Sequence, residues 1–307
     1  MLRGVLLWAS TNPFLARRLP RFGFVRRATR RFMPGETMDD AFRATRELMQ
    51  RRIGTVLTLL GENVTEPAES VAVVEHYQRV LKAVVERRYD AEISVKPTQL
   101  GLDLGAELAE ANLRAILNTA SQAGTMVWID MESSAYVDAT LELYRAVRGE
   151  FEGVGLCLQA YLYRTEGDLK GLLPLRPAIR LVKGAYREAA DVAFPRKRDV
   201  DEQYARLGVI LLDAVRDDGI RVAFGTHDMR LVERLRAAAA ERGLSRGDLE
   251  VQMLYGIGTT HQERLAREGH TVRVLISYGE AWFPWYMRRL AERPANLWFV
   301  VRNVFGG

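Results

Sequence analysis

Between residues 92 and 130 the chain runs from Glu92-Ile-Ser-Val-Lys96, a short β-rich stretch, through a helix-compatible segment to a second β-rich stretch, Met126-Val-Trp-Ile-Asp130. An intervening helix implies a crossover and parallel pairing, because antiparallel neighbours need only a short turn. The same alternation extends both ways. Upstream, Thr37 followed three residues later by Asp40 predicts a capping box opening a helix through about residue 52, ahead of a strand at Thr55-Val-Leu-Thr-Leu-Leu60. Downstream, strands are predicted at Gly155–Gln159, Ile179–Val182, Arg221–Phe224, Glu250–Leu254 and Val272–Ile276. That makes eight strands, each followed by a helix-compatible segment. Eight such units predict an α/β fold closed as a (β/α)8 TIM-type barrel; an open doubly wound sheet accounts for eight units less well.

The chain has 307 residues, 48% hydrophobic and 27% charged. Barrels of this kind need roughly 250 residues, so one barrel and a short extension fill it. No linker, low-complexity tract or internal repeat marks a second domain. The single cysteine, Cys157, excludes a disulfide framework and fits a cytoplasmic compartment. No uncharged apolar stretch reaches the roughly 18 residues of a spanning helix. Charge is uneven. Residues 1–35 hold eight arginines (Arg3, Arg17, Arg18, Arg21, Arg26, Arg27, Arg30 and Arg31) and no acid, so a net charge of +5 leaves the rest at −3. Phe14, Leu15, Leu19, Phe22, Phe24, Val25 and Phe32 interleave with them. The expected division is therefore a basic amphipathic arm, residues 1–36, and a barrel, residues 37–307. The arm suits either anionic lipid headgroups at a membrane surface or a solvated helical extension packed on the barrel. Nucleic acid is not expected, because no recognition motif accompanies the basic run.

In parallel barrels the loops after the strands converge at the carboxyl face, and the chemistry sits there. The strand ends carry Glu62, Lys96, Asp130, Gln159, Lys183, Thr226-His227-Asp228, Gln252 and Tyr278. Any one of them is explained by contact with solvent; a whole rim of them points to a site. In the last helical segment Trp285, Arg288, Arg289 and Glu292 share one face. Paired arginines hold a carboxylate with forked hydrogen bonds, although an Arg–Glu face is also common as a solvated ion-pair surface. No Gly-x-Gly-x-x-Gly follows a strand, and no phosphate loop is present. His76, His227, His261 and His270 lack metal-ligand spacing, so no metal site is expected. On residues alone, this is a barrel enzyme with a polar rim and a carboxylate clamp.

Six segments in order resemble the proline dehydrogenase family, in its monofunctional bacterial form. They are Ile93–Lys96, Leu158–Tyr161, Arg180-Leu-Val-Lys-Gly-Ala-Tyr186, Thr226–Asp228, Gln252–Gly256 and Arg288–Glu292. The resemblance runs from about residue 35 to the end, and the segment 180–186 is its longest and most specific part. It implies FAD bound on the barrel rim, L-proline oxidised to 1-pyrroline-5-carboxylate by hydride transfer to flavin N5, and electrons passed to a quinone at the inner membrane. It implies that Lys96, Arg288 and Arg289 grip the substrate carboxylate while Asp130 organises Lys96. Arg180 would stand near flavin N5 and O4. Gln159, Val182, Lys183, Gly184, Ala185, Tyr186, Thr226, His227, Asp228, Gln252 and Leu254 would hold the cofactor. Glu62 would gate the site by pairing with Arg288 when it is empty, and Glu292 would orient the arginine pair. Leu275, Tyr278 and Trp285 would line the substrate ring.

The sequence departs from the family pattern where tyrosine is expected at 275 and 285 and proline at 277; it has Leu275, Trp285 and Ser277. Hydroxyproline or another cyclic or N-alkyl amino acid is therefore an alternative substrate. A Schiff-base aldolase using Lys183 or Lys96 is an alternative chemistry on the same barrel. A basic lipid- or nucleic-acid-binding module built on the arm is the non-enzymatic alternative.

Overall fold

The computed structural model describes residues 32–283. Eight parallel strands close in sequence order, β1 (Gly54–Leu59), β2 (Ala91–Val95), β3 (Val127–Ile129), β4 (Val154–Gln159), β5 (Ala178–Val182), β6 (Val222–Gly225), β7 (Glu250–Leu254) and β8 (Thr271–Tyr278). The ring shuts where β1 pairs β8 from Gly54 opposite Arg273 to Leu59 opposite Tyr278. This is the (β/α)8 barrel expected. Helix α1 (Met38–Met49) precedes β1. Helices α2 (Pro67–Glu86), α3 (Ala106–Ala123), α4 (Val137–Arg148), α5 (Thr165–Leu172), α6 (Lys197–Asp218), α7 (Met229–Glu241) and α8 (Thr259–Arg267) follow β1 to β7. The segment after β8 that carries Trp285, Arg288, Arg289 and Glu292 lies outside the described residues, as do residues 1–31 of the basic arm. No helix among the described residues is long and apolar enough to cross a membrane.

Helix α1 starts where its capping box requires. Asp40 N–H donates to Thr37 Oγ1 at 3.1 Å and Thr37 N–H to Asp40 Oδ2 at 3.1 Å. Helix α2 opens on Pro67, which gives up no helical hydrogen bond there, and buries Ser70, Val73, Val74, Tyr77, Val80, Leu81 and Val84 along one face.

Strand alternation sorts the barrel into two cores. Leu57, Ile93, Val95, Val127, Ile129, Leu156, Leu181, Phe224, Val251, Val274 and Ile276 pack outward with the helix layer. The alternate positions face in. At the barrel centre Val56, Trp128, Ala178 and Ala223 form a separate small cluster. Gly155 makes room for the indole, since a Cβ there would stand 2.5 Å from Trp128 Cε3.

Below Trp128, at the amino end of the strands, lies a buried charge cluster. Arg221 Nη1 meets Glu92 Oε1 at 2.7 Å and Arg221 Nη2 meets Glu250 Oε2 at 2.7 Å, while Arg273 Nε lies 3.2 Å from Glu92 Oε1. Trp128 Nε1 also donates to Glu92 Oε2 at 2.7 Å. Both carboxylates are almost fully buried, and the two arginines supply the countercharge beside them.

Candidate active site

The carboxyl ends of the strands surround a cleft of about 1130 Å3. Its lining includes Lys96, Asp130, Gln159, Arg180, Val182, Lys183, Gly184, Ala185, Tyr186, Thr226, His227, Asp228, Gln252, Leu254 and Leu275. Most of the rim and cofactor residues expected from the sequence thus share one cavity.

Arg180 forms its floor. The side chain is 3% exposed, because its parity on β5 turns it into the barrel. Its Nη2 donates to Ser94 Oγ at 2.8 Å and pairs with Asp130 Oδ1, and its Nη1 donates to Gln252 Oε1 at 3.3 Å. Burial pushes the guanidinium pKa down, but Asp130, with smaller contributions from Cys157 and Glu92, outweighs it, and the net shift is upward. The guanidinium carbon lies 5.2 Å from the centroid of the Trp128 ring, and Arg221 lies 5.3 Å from that ring too. The indole therefore separates the charged floor of the barrel from the charged floor of the cleft.

Asp130 joins the cations above this floor. Lys96 Nζ lies 3.7 Å from Asp130 Oδ2, and Ser94 Oγ donates to Asp130 Oδ1 at 2.9 Å. Ser94 and Lys96 occupy alternate positions at the end of β2, so both face inward. The turn after Lys96 is pinned by Glu132, whose carboxylate accepts from Thr98 N–H at 2.9 Å and from Thr98 Oγ1 at 2.7 Å. Burial raises the Glu132 pKa, and the two Thr98 bonds only partly offset it.

On the β4–β7 side, Gln159 Nε2 donates to the carbonyls of Met131 and Glu132, both at 3.1 Å. Its Oε1 is buried and has no hydrogen-bond partner among the described residues. A buried acceptor at a cleft wall calls for a ligand donor. Lys183 Nζ donates to Asp201 Oδ1 at 2.5 Å and to Asp228 Oδ2 at 3.0 Å, and Lys197 reaches the same two carboxylates. Both aspartates are held below the usual carboxylate range by these lysines, against the opposing effect of burial. Leu254 N–H donates to His227 Nε2 at 3.1 Å, which ties the ring to the end of β7. Gly184 adopts φ +111° beside the Tyr161 ring, and a Cβ there would stand 2.2 Å from Tyr161 Cδ1. Only glycine allows the backbone after Lys183 to lie so close to that ring.

Two residues differ from expectation or are only partly placed. Tyr278 does not face the cleft. Its parity on β8 is opposite to that of Leu275, so its fully buried ring turns to the helix layer and its hydroxyl bonds His76 Nε2 at 2.7 Å. Leu275 and Ser277 take the inward positions. Glu62 is half-buried beyond the end of β1, within electrostatic reach of Glu132; its expected partner Arg288 lies outside the described residues. Ser94, Glu132, Asp201 and Lys197 were not singled out from the sequence. Ser94 shares its parity with Lys96, which was a usable signal; Asp201 and Lys197 come from a helix, and no local pattern marks them. Both candidate Schiff-base lysines sit against carboxylates, not in the cationic or apolar surroundings that free an amine for nucleophilic attack. No cluster of metal-ligating side chains occurs among the described residues.

A parallel eight-stranded barrel with a large cationic cleft at the carboxyl face is the architecture of a barrel enzyme. The proline dehydrogenase family model matches residues 41–302, and the chain belongs to that family. It is 40% identical over 304 residues to proline dehydrogenase 1 of Bacillus subtilis subsp. natto, covering 99% of each chain. It is 38% identical over 282 residues to the proline dehydrogenase of Deinococcus radiodurans, covering 90% of each. In solved structures the fold recurs in proline utilization A from Bdellovibrio bacteriovorus inactivated by N-propargylglycine, with a TM-score of 0.82 at 22% identity. That match covers 95% of this chain and 36% of the larger protein.

Proposed function

We propose that the protein is a flavin-dependent proline dehydrogenase, which oxidises L-proline to 1-pyrroline-5-carboxylate with FAD in the cleft and a quinone as final acceptor. The observation that carries this reading is the Arg180–Asp130–Lys96 cluster at the base of a cleft large enough for a cofactor and a small substrate together. The residues present fit a flavin: Gln159 offers a buried acceptor without a partner among the described residues, Gln252 and Arg180 offer polar atoms at the floor, and Gly184 keeps the rim open to a flat ring system. Val182, Lys183, Ala185, Tyr186, Thr226, His227, Asp228 and Leu254 complete the cofactor's surroundings. When bound, FAD supplies the two-electron acceptor that no side chain of this cleft can provide.

The chain's own residues bind and orient. Lys96, together with Arg288 and Arg289, neutralises the substrate carboxylate and fixes which ring carbon faces the cofactor. Asp130 keeps Lys96 in place and offsets the charge of Arg180. The fixed positive charge of Arg180 favours negative charge building up beside it, with no reorganisation at the moment of reaction. Glu62 holds Arg288 when substrate is absent. The basic arm, residues 1–36, brings the protein to the anionic inner-membrane surface where a quinone is reached.

The test is turnover. With L-proline and a soluble quinone, purified protein should form a product trapped by an aromatic aminoaldehyde, and heat-extracted cofactor should be FAD. Absence of flavin after reconstitution contradicts the reading. Leu275 and Ser277 at the inward positions of β8 favour one variation, a substituted ring such as hydroxyproline. A higher kcat/KM for hydroxyproline than for L-proline would establish it.

A further inference from the structure

The ladder between β1 and β2 stops short of the cleft. It pairs Thr55 with Ala91, Val56 with Glu92 and Leu57 with Ile93, whereas β1 stays paired with β8 as far as Leu59 opposite Tyr278. In the paired part, a β1 amide donates to the carbonyl one residue before its partner, as Thr55 N–H does to Asp90 O at 3.0 Å. Continued two residues, that register sets Leu59 opposite Val95 and directs Leu59 N–H to Ser94 O. A side chain stands in between. Leu59 N–H donates to Tyr77 Oη at 2.9 Å, and Tyr77 Oη donates to Ser94 O at 2.8 Å. The Leu59 carbonyl, which the same register assigns to Lys96 N–H, accepts from Gln99 Nε2 at 3.4 Å. Two side chains thus stand in for two ladder bonds, on one seam of the barrel, next to the residues that form the cleft floor.

Tyr77 is fully buried on the inner face of α2. Its hydroxyl both accepts and donates, so it fills the gap between the strands without leaving a buried backbone group unpaired. Ser94, whose carbonyl it holds, directs its own hydroxyl to Asp130 and receives Arg180. Lys96 is the next inward residue.

We propose that Tyr77 is a positioning residue, its hydroxyl acting as a spacer in the barrel ladder that holds the end of β2 off β1 and so sets where Ser94 and Lys96 meet Asp130. Only the kinetic part of its test rests on the function proposed above. Without the hydroxyl, Leu59 N–H and Ser94 O can bond directly, drawing the end of β2 toward β1 by roughly 2 Å, the difference between a bridged and a direct hydrogen bond.

The test compares Tyr77→Phe with Tyr144→Phe, an equally buried phenol on α4 outside the cleft lining. Reductive methylation followed by peptide mass spectrometry measures the labelling rate of Lys96 against Lys183 in the same sample. Tyr77→Phe should change that ratio several-fold, and Tyr144→Phe should not. In turnover, Tyr77→Phe should raise the KM for L-proline about tenfold while flavin is retained, the effect of one weakened charge-assisted hydrogen bond. Unchanged Lys96 labelling and unchanged KM, with only a loss of thermal stability in both variants, would overturn the proposal. If the wild-type protein does not oxidise proline, the functional reading fails, while the labelling ratio still decides the role of Tyr77. Should Tyr77→Phe not fold, a crystal structure of the wild-type protein decides: the hydroxyl between Leu59 N and Ser94 O supports the spacer, and a direct bond between them overturns it.

Discussion

Replacing Arg180 by methionine removes the cation at the cleft floor while keeping much of its volume. The change deletes the bonds to Asp130, Ser94 and Gln252. Breaking a buried ion pair from one side commonly costs about 3–5 kcal/mol, because the remaining charge stays buried. Here Asp130 is 22% exposed toward the cleft, keeps the Ser94 hydroxyl and has Lys96 at 3.7 Å. The lower end of that range, about 3 kcal/mol, is therefore expected. With an unfolding entropy of roughly 2.1 cal/mol/K per residue, this lowers Tm by about 5 °C. The functional effect should be larger. Losing one preorganised positive group beside developing negative charge costs about 10²–10³ in kcat. Lysine should not restore it, since a point charge cannot serve Asp130, Ser94 and Gln252 together. The assay is stopped-flow reduction of the bound flavin by L-proline, alongside thermal unfolding. A flavin-bound Arg180→Met variant with wild-type kcat would refute the role given to Arg180.

Two further outcomes are expected. Arg221→Met strips Glu92 and Glu250 of their shared partner at the barrel floor and should cost about 3–5 kcal/mol in urea unfolding, whereas a loss below 1 kcal/mol would show that Arg273 suffices. Burial raises the Glu132 pKa, so its stabilising contribution is full below the unfolded value of roughly 4.3 and is lost as pH rises through the folded value. Glu132→Gln has no such titration and can still bond Thr98. Its stability relative to wild type should therefore rise from pH 4 upward, and parallel pH profiles of the two proteins would contradict this.

Much of the fold was legible because each strand is announced twice, by a β-rich run and by the helix after it. The Thr37–Asp40 capping box marks the start of α1 to the residue. Strand ends were less clear: β3 forms only Val127–Ile129, shorter than its β-rich run, and β8 runs on to Tyr278. That extension explains the misplacement of Tyr278. A polar residue after a strand was read as a rim residue, when period-two alternation already set it on the face opposite to Leu275. Arg180 has the reverse history. It lies in mid-strand, where local reading expects an apolar side chain, and only the resemblance of its segment pointed to it. The barrel floor went unnoticed because Glu92, Arg221, Glu250 and Arg273 stand at the strand starts, which resemble polar surface until closure buries them. Tyr77 is hidden most completely, since in the helical pattern of α2 it is one more apolar position, and the work of its hydroxyl depends on strands distant in sequence.

The most direct test of the central claim is the visible spectrum of the purified protein, recorded anaerobically before and after addition of L-proline. The account predicts an oxidised-flavin spectrum that bleaches on addition of proline. Protein that takes up no flavin on reconstitution, or flavin that stays oxidised with every cyclic amino acid offered, would contradict it.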